Sequence, residues 1–256
     1  MRGDAFELGD GEVGVVCVHG LTGTPADLRF LGEQLARAGY AVRAPLLPGH
    51  GTTVDDLARR RWREWADCVE GAFDAMRARC DRVALVGQSL GGLLSLELAS
   101  RRADVAAVAT LAAPVWLGAL GRRIARWAER GWLDRIRALP KPRGPDVRDR
   151  RARADNPSYR AFPVRAIAEL AATMRAADAS LDKIAAPVLV VHGEHDHTAP
   201  VACARYIAER THGALRILPR SYHLVAADVE RELVAAYVIE HLREHVVARG
   251  DLACAT

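Results

Sequence analysis

An apolar run that ends in a glycine-flanked serine constrains the fold of this chain more than any other stretch. It reads Val83-Ala84-Leu85-Val86-Gly87-Gln88-Ser89-Leu90-Gly91-Gly92 and continues into the leucine-rich positions 93–98. A strand, a tight turn and a helix in this order hold a serine hydroxyl at a sheet edge, where it becomes a useful nucleophile. Glycines on both sides of the turn avoid the clashes that a Cβ would cause. Ser89 is therefore the candidate nucleophile, and the alternative is a serine that only caps the following helix.

Apolar strands and helices alternate along the 256-residue chain. The pattern predicts strands at 13–18, 40–44, 82–86, 105–111, 187–191 and 215–218, and helices at 26–38, 62–79, 201–210 and 228–247. Such alternation predicts an α/β fold, with a mostly parallel central sheet and helices on both faces. Ligands of these sheets bind at the carboxyl ends of the strands, where Ser89 lies.

The alternation is interrupted between Pro114 and about Ser180, where helical patterns occur without a convincing strand. A structureless loop of that length is implausible in a compact domain. We therefore expect a core formed by residues 1–114 and 181–256, with residues 115–180 inserted as a small helical cap. The segment from Val115 to Arg160 is strongly basic, with twelve Arg and one Lys against five acidic residues.

These arginines do not come with a helix-turn-helix, zinc or aromatic-interleaved RNA-binding pattern, which argues against nucleic acid as a partner. An anionic substrate or a membrane surface stays open. The five cysteines are scattered and odd in number, which predicts reduced thiols in a cytoplasm: Cys17, Cys68, Cys80, Cys203 and Cys254. Residues 1–14 lack an apolar signal core and no run approaches membrane-spanning length, so we expect a cytoplasmic protein. The sequence leaves its oligomeric state open.

A serine nucleophile needs a base, and histidine is the side chain whose charge changes nearest neutral pH. His223 follows the last predicted strand and precedes the last helix, at the carboxyl edge. Asp196 follows the preceding strand and is the candidate acceptor that orients the histidine, with Glu194 as its competitor. The chain order Ser89, Asp196, His223 is the order of α/β-hydrolases.

The same stretch raises the question of a metal, because His192, His195, Asp196 and His197 are all ligand types. Their crowded spacing does not match a closed tetrahedral site, so we expect neither a metal nor another cofactor. A developing oxyanion needs two donors. The candidates are the backbone N–H of Leu90, directly after the nucleophile, and that of Leu21, in the loop after the first core strand.

Several motifs together resemble the bacterial carboxylesterases and monoacylglycerol lipases of the α/β-hydrolase superfamily. They are His19-Gly20-Leu21-Thr22-Gly23-Thr24-Pro25, Leu46-Leu47-Pro48-Gly49-His50-Gly51-Thr52, Gly87-Gln88-Ser89-Leu90-Gly91-Gly92, Leu181-Asp182-Lys183-Ile184 and Ser221-Tyr222-His223. The resemblance implies a Ser89, Asp196 and His223 triad, Leu21 and Leu90 as oxyanion donors, and a helical cap that shapes an acyl pocket. It also implies a short form without extra leading strands. One departure is Arg160, which follows Tyr159 where monoacylglycerol lipase relatives carry an acidic residue.

An apolar stripe at helical spacing begins the predicted cap and runs through Trp116, Leu117, Leu120, Ile124 and Trp127, with Gly131 as the stop. We expect it to pack over the active site as an acyl-binding wall, with Trp116, Leu120 and Tyr159 as substrate contacts. The alternative is a basic amphipathic helix that makes transient contact with a lipid interface.

The predicted function is a serine carboxylesterase that hydrolyses small esters of short to medium acyl chain, with monoacylglycerols as candidates. Ser89 would carry the acyl group. An acyl-thioesterase or a carbon–carbon hydrolase could use the same three residues, because fold and triad do not fix the leaving group. A non-catalytic ligand receptor built on this fold is the alternative from another class.

Overall fold

Seven strands form the central sheet of this computed structural model, which describes residues 3–133, 135–142 and 144–246. The strands of the chain are β1 Phe6–Leu8, β2 Val13–Val18, β3 Ala41–Ala44, β4 Arg82–Gln88, β5 Val105–Leu111, β6 Ala138–Pro140, β7 Ala161–Pro163, β8 Val188–Gly193 and β9 Ala214–Leu218. The large sheet has the order β1-β3-β2-β4-β5-β8-β9, in which only β1 runs antiparallel to its neighbour. The carboxyl ends of β4, β8 and β9 therefore lie along one edge.

Helices cover both faces of this sheet. They are α1 Arg29–Arg37, α2 Val54–Arg59, α3 Trp62–Arg77, α4 Leu90–Arg101, α5 Ala119–Glu129, α6 Arg150–Asp155, α7 Val164–Asp178, α8 Ala202–Thr211 and α9 Arg231–His245. Successive strand residues point to opposite faces, so Val16 and Val18 join the core with α3, α4 and α8, whereas Val15 and Cys17 join the core with α1 and α9. Burial on both faces explains why these strands are apolar throughout.

The segment 115–180 contains α5, α6 and α7 together with the antiparallel pair of β6 and β7, in which Leu139 lies opposite Phe162. Ala125 of α5 packs with Ile167 and Ala171 of α7 in a small apolar cluster separate from the two large ones. The other side of α7 joins the main core against α4. The segment thus has some apolar packing of its own and rests on the sheet domain through α7.

The structure confirms the predicted α/β fold with its mostly parallel sheet and helices on both faces. Two expectations about strands are wrong. A short leading strand, β1, pairs with β3, and the segment 115–180 holds the pair of β6 and β7 where no strand was expected. Each of these strands has three residues, too few for the alternation of apolar and polar side chains to stand out, and tertiary contacts decide their pairing.

The predicted stop of the stripe helix at Gly131 agrees with the structure, because α5 ends at Glu129 and Gly131 has a φ of +72°. Within the described ranges, no helix is both long enough and apolar enough to cross a membrane. The described cysteines are free thiols. Cys254 and the predicted end of the last helix at Val247 lie outside the described residues.

Candidate active site

Ser89 lies in a tight turn between β4 and α4. Its backbone has a φ of 55° and a ψ of −117°, a strained combination for a residue with a side chain. The glycines on both sides are required, because a Cβ on Gly87 would lie 2.2 Å from the carbonyl oxygen of Gly91, and one on Gly91 would lie 2.1 Å from that of Val18. The Ser89 N–H donates to the carbonyl of Leu111 at 2.8 Å, which ties the turn to the end of β5.

The three residues predicted to form a triad meet at this turn. The distance from Ser89 Oγ to His223 Nε2 is 2.9 Å, and that from His223 Nδ1 to Asp196 Oδ2 is 2.7 Å. His223 follows β9 and Asp196 follows β8, so the shared edge of the parallel strands brings them together. A serine O–H donating to Nε2 and an Nδ1–H donating to the carboxylate is the arrangement a general base needs.

Asp196 is held as a carboxylate by its neighbours. Its Oδ1 accepts from the N–H groups of Thr198 and Ala199, both at 2.7 Å, and its Oδ2 also lies 3.1 Å from His192 Nε2. Burial alone would raise the pKa of this carboxyl. The charge of His223 and the hydrogen bonds from His192 and His223 outweigh burial and hold the pKa well below its usual range.

His223 titrates in the opposite sense. Burial would lower the pKa of its imidazole, but the Asp196 carboxylate outweighs burial and the pKa is raised above its ordinary value, with a smaller contribution from the charge of Asp146. A raised pKa stabilises the imidazolium that forms when the ring takes a proton from serine. Both side chains are nearly enclosed, with Ser89 9% and His223 6% exposed.

The two predicted oxyanion donors belong to segments next to Ser89. Leu90 is the first residue of α4, so its N–H has no acceptor within the helix. Leu21 follows Gly20, whose backbone approaches so closely that a Cβ there would lie 3.1 Å from the Cβ of Ser89. His19 fixes this loop, since its Nδ1 lies 2.9 Å from the Gly20 carbonyl and its Nε2 accepts from the N–H of Leu47 at 3.1 Å.

Gln88 was not singled out from the sequence, although it stands next to the nucleophile. Its side chain is fully buried, and its Nε2 donates to the carbonyl of His223 at 2.7 Å. Its Oε1 lies 3.4 Å from the N–H of Ala226. Gln88 therefore fixes the backbone of the histidine loop to the end of β4. These two partners lie more than a hundred positions away along the chain, so no local signal could have revealed this role.

Asp146 was also missed. Its carbonyl accepts from the N–H of His223 at 3.1 Å, and its carboxylate accepts from the N–H of His197 at 3.0 Å and the hydroxyl of Thr198 at 3.0 Å. The ring of His197 also lies against it, with Nδ1 2.9 Å from Oδ1. A residue of the 115–180 segment thus joins the loop of Asp196 to the loop of His223.

The three predicted substrate contacts lie in different surroundings. Trp116 packs edge to face on Tyr206, with ring centroids 5.1 Å apart. Leu120 is 67% exposed on α5. The hydroxyl of Tyr159 accepts from the N–H of Thr52 at 2.8 Å and donates to the carbonyl of Gly49 at 2.9 Å. The structure brings none of these side chains into hydrogen bonding with the triad, and their contact with substrate stays a prediction.

Two histidines at and just after the end of β8 are engaged in contacts with other residues of the protein. His192 contacts Asp196 and the carbonyl of Ala199. His197 contacts Asp146 and packs edge to face on Tyr222, with ring centroids 4.7 Å apart. Across the described ranges, no group of three or more His, Cys, Asp or Glu side chains is arranged to hold a metal ion.

Comparison with known proteins agrees with this geometry. Residues 15–236 match the model of the Alpha/beta hydrolase family. The chain is 31% identical over 246 residues to the thermostable monoacylglycerol lipase of Bacillus sp. (strain H-257), across 94% of this chain and 95% of that protein. It is 26% identical over 243 residues to a carboxylesterase of Bacillus subtilis (strain 168), across 93% and 96% of the two chains.

One solved structure comes from a study of LipS and LipT, two metagenome-derived lipolytic enzymes. It superposes on this chain with a TM-score of 0.86 at 27% identity, covering 95% of this chain and 98% of that one. The family model alone covers well over half of the chain, and the monoacylglycerol lipase relative spans almost all of it. This chain therefore belongs to the Alpha/beta hydrolase family, among its carboxylesterases and monoacylglycerol lipases.

Proposed function

We propose that this carboxylic ester hydrolase works as a serine esterase, which forms an acyl-enzyme on Ser89 and prefers esters of short to medium acyl chain. The observation that carries the proposal is the continuous contact from Ser89 Oγ to His223 Nε2 at 2.9 Å and from His223 Nδ1 to Asp196 at 2.7 Å. The strained turn that presents Ser89 supports it, because backbone strain of this kind concentrates at functional sites.

In the first half of the reaction, Ser89 Oγ attacks the ester carbonyl carbon while its proton moves to His223 Nε2. The negative charge of Asp196 stabilises the imidazolium and keeps Nε2 directed at the serine. Collapse of the tetrahedral intermediate breaks the bond from carbon to the alcohol oxygen. His223 returns the proton to that oxygen, so the alcohol leaves neutral and the acyl group stays on Ser89.

In the second half, water replaces the alcohol. His223 Nε2 takes a proton from the water as it attacks the acyl carbon, and then gives that proton to Ser89 Oγ as the acid leaves. The N–H groups of Leu21 and Leu90 would stabilise the oxyanion in both halves. Removing one such donor typically lowers the rate about a hundredfold to a thousandfold.

Residues 115–180 act in this proposal as a cap over the core formed by 1–114 and 181–256. Asp146 and Tyr159 support that role, because the first contacts both triad loops and the second is bonded to the loop of residues 49–52. One relative is named a monoacylglycerol lipase, which makes monoacylglycerols candidate substrates. Arg160, which replaces the acidic residue expected beside Tyr159, makes general carboxylic esters the broader class.

The proposal is tested with Ser89→Ala and a panel of p-nitrophenyl esters of increasing acyl length, together with monoacylglycerols. Loss of the nucleophile should lower kcat about a millionfold. Ser100→Ala is the matched control, because Ser100 lies in the last turn of the same helix and its hydroxyl donates to the carbonyl of Glu97. Turnover by Ser89→Ala at the wild-type rate would refute the acyl-enzyme at this residue, and a preference for long acyl chains would refute the chain-length proposal.

We also propose a transient contact between the cap and a lipid interface. Three large apolar side chains of the cap are exposed, Leu120 at 67%, Trp132 at 66% and Ile136 at 43%. Exposed arginines of α5, including Arg122 and Arg126, lie in the same segment. Apolar side chains beside cations suit an anionic membrane surface. The apolar side chains insert at the boundary of the acyl chains, and the anionic headgroups attract the arginines.

Sedimentation with phosphatidylglycerol vesicles tests this contact. The double substitution Leu120→Ser and Trp132→Ser should abolish cosedimentation, whereas Leu233→Ser, an equally simple change of a 45% exposed leucine on α9, should not. Equal cosedimentation of the cap variant and the wild type would exclude the proposed surface.

A further inference from the structure

Lys141 brings a positive charge to the loop that carries Leu21. The residue directly follows β6, and its Nζ donates to the hydroxyl of Thr22, the neighbour of Leu21. The ammonium also lies 4.1 Å from the centre of the Phe162 ring. Both the Thr22 hydroxyl and the Phe162 ring are uncharged partners. Among the described residues, no ion pair involves Lys141.

This charge acts on the proposed triad and is itself partly buried. Like burial, it lowers the pKa of His223, and the larger effect of Asp196 opposes both. Burial lowers the pKa of Lys141 to about 8, the charge of Asp27 opposes that change, and the charge of Arg160 adds to it. The group is still mostly protonated at neutral pH. The fold therefore holds a cation beside the catalytic centre in surroundings that favour its charge weakly.

Asp27 is the acidic side chain that influences Lys141, but its oxygens have other partners. Its Oδ1 accepts from the Asn156 amide at 2.7 Å, and its Oδ2 accepts from the N–H of Thr24 at 3.3 Å. Burial raises the pKa of this carboxyl above its usual value, which favours the uncharged form. Asp27 thus braces the loop of residues 20–27 and provides incomplete compensation for the ammonium.

A second cation stands opposite Lys141 at the end of the small cap sheet. The N–H of Lys141 donates to the carbonyl of Arg160 at 2.8 Å, so the two residues face each other where β6 ends and β7 begins. The guanidinium of Arg160 lies over Gly144, where a Cβ would be 2.8 Å from Nη1. Two adjacent cations repel each other, and an anion between them would relieve that repulsion.

We propose that Lys141 and Arg160 form a subsite for an anionic group of the ester substrate, a carboxylate or a phosphate close to the scissile bond. This inference rests on the proposed esterase function and names the substrate class of the same site. A partly buried ammonium gains more from a charged acceptor than from the neutral hydroxyl of Thr22, because opposite charges attract strongly where water is partly excluded. A neutral glycerol group would gain less from the same position.

Two pairs of substrates separate the sources of the anion. The phosphomonoester of monobutyrylglycerol is compared with monobutyrylglycerol, which places the anion on the alcohol side. The p-nitrophenyl monoester of glutaric acid is compared with p-nitrophenyl pentanoate, which places it on the acyl side at equal chain length. The wild type should show a kcat/KM about tenfold to a hundredfold higher for the anionic member of one pair.

Lys141→Met should lower that preference by a similar factor, and Arg160→Gln should lower it less because its exposed charge is screened by solvent. Lys183→Met is the matched control, since Lys183 is the other lysine of the chain and lies exposed in the 181–183 turn. Melting temperatures identify any variant that fails to fold. Calorimetry measures the affinity of the preferred anionic ester for Ser89→Ala and for the double variant Ser89→Ala with Lys141→Met, neither of which turns the ester over at a significant rate. The double variant should bind the ester more weakly.

The outcomes separate this inference from the esterase proposal. Ser89-dependent hydrolysis of the neutral esters without preference for either anionic partner would overturn the subsite alone. An equal loss by Lys141→Met on anionic and neutral esters would overturn it too, since that result indicates a role in holding Thr22. Hydrolysis of none of the four esters would refute both proposals.

Discussion

Gln88→Met is a sharp test of how the sheet holds the proposed catalytic histidine. Methionine keeps the length of the side chain and tolerates a tight site, but it cannot donate to the carbonyl of His223. The triad side chains are left intact by this substitution. Any effect on turnover would therefore act through the position of the His223 loop.

The magnitude follows from three distances. The bond from Gln88 Nε2 to the His223 carbonyl is short at 2.7 Å, whereas the contacts with the Leu111 carbonyl and the Ala226 N–H are 3.4 Å long. Bonds of 3.4 Å lie outside the usual range and contribute little. Loss of the short bond leaves a buried carbonyl without this donor, which should lower the free energy of unfolding by about 1–3 kcal/mol. A shift of the histidine by a fraction of an ångström should lower kcat about tenfold to a hundredfold.

Urea unfolding and p-nitrophenyl ester kinetics measure the two effects on the same protein samples. Gln34→Met is the matched control, because Gln34 is the other glutamine of the chain and lies on α1, on the sheet face formed by α1 and α9. It should leave both quantities near the wild-type values. If Gln88→Met matched Gln34→Met in stability and in kcat, the bond to the His223 carbonyl would not be what positions the base.

Three other predictions concern charge. Asp196→Asn should lower kcat about ten-thousandfold in ester assays, because an amide that donates to Nδ1 of His223 leaves the proton on Nε2, and an unchanged kcat would refute this. Asp146→Asn removes a charge that raises the pKa of His223, so the acidic limb of the kcat/KM profile should move to lower pH, and no shift would count against the contact. His50 and His241 have pKa values lowered to about 4 by burial, so the unfolded state binds protons first. Urea unfolding should therefore show a free energy of unfolding about 2 kcal/mol lower per histidine at about pH 5 than at about pH 7. The raised pKa of His223 partly offsets this loss. A free energy of unfolding independent of pH would refute the prediction.

The sequence could predict the arrangement of the triad because each member carries a local signal. Ser89 lies in a turn that only glycine neighbours permit, and Asp196 and His223 each follow an apolar run. Once those runs are taken as parallel strands, their carboxyl ends must share an edge. The contacts between the three side chains follow from that topology, with no need for knowledge of any long-range distance.

The residues that support the triad could not be predicted in the same way. Gln88 and Asp146 act through partners that lie 135 and 51 positions away along the chain. Asp146 lies in a basic stretch, where the sequence suggests only that its charge offsets the neighbouring arginines. The exposed position of Leu120 was likewise hidden, because its helical spacing matches a buried stripe while the structure leaves it 67% exposed. Periodicity indicates which residues share a helix face, but tertiary packing decides whether that face is covered.

Residues of the 115–180 segment hold the loop that carries the proposed oxyanion donor. Thr22 has a φ of 67°, a conformation that strains a β-branched residue. Its carbonyl accepts from the N–H of Tyr159 at 3.0 Å, and its hydroxyl accepts from Lys141. Asn156 adds a third link, through Asp27. If residues 115–180 select the substrate as proposed, the same residues would also determine how well the proposed oxyanion site beside Leu21 is formed. Substitutions in this part of the cap should therefore change kcat as well as KM, in contrast to a pocket that only binds the ground state.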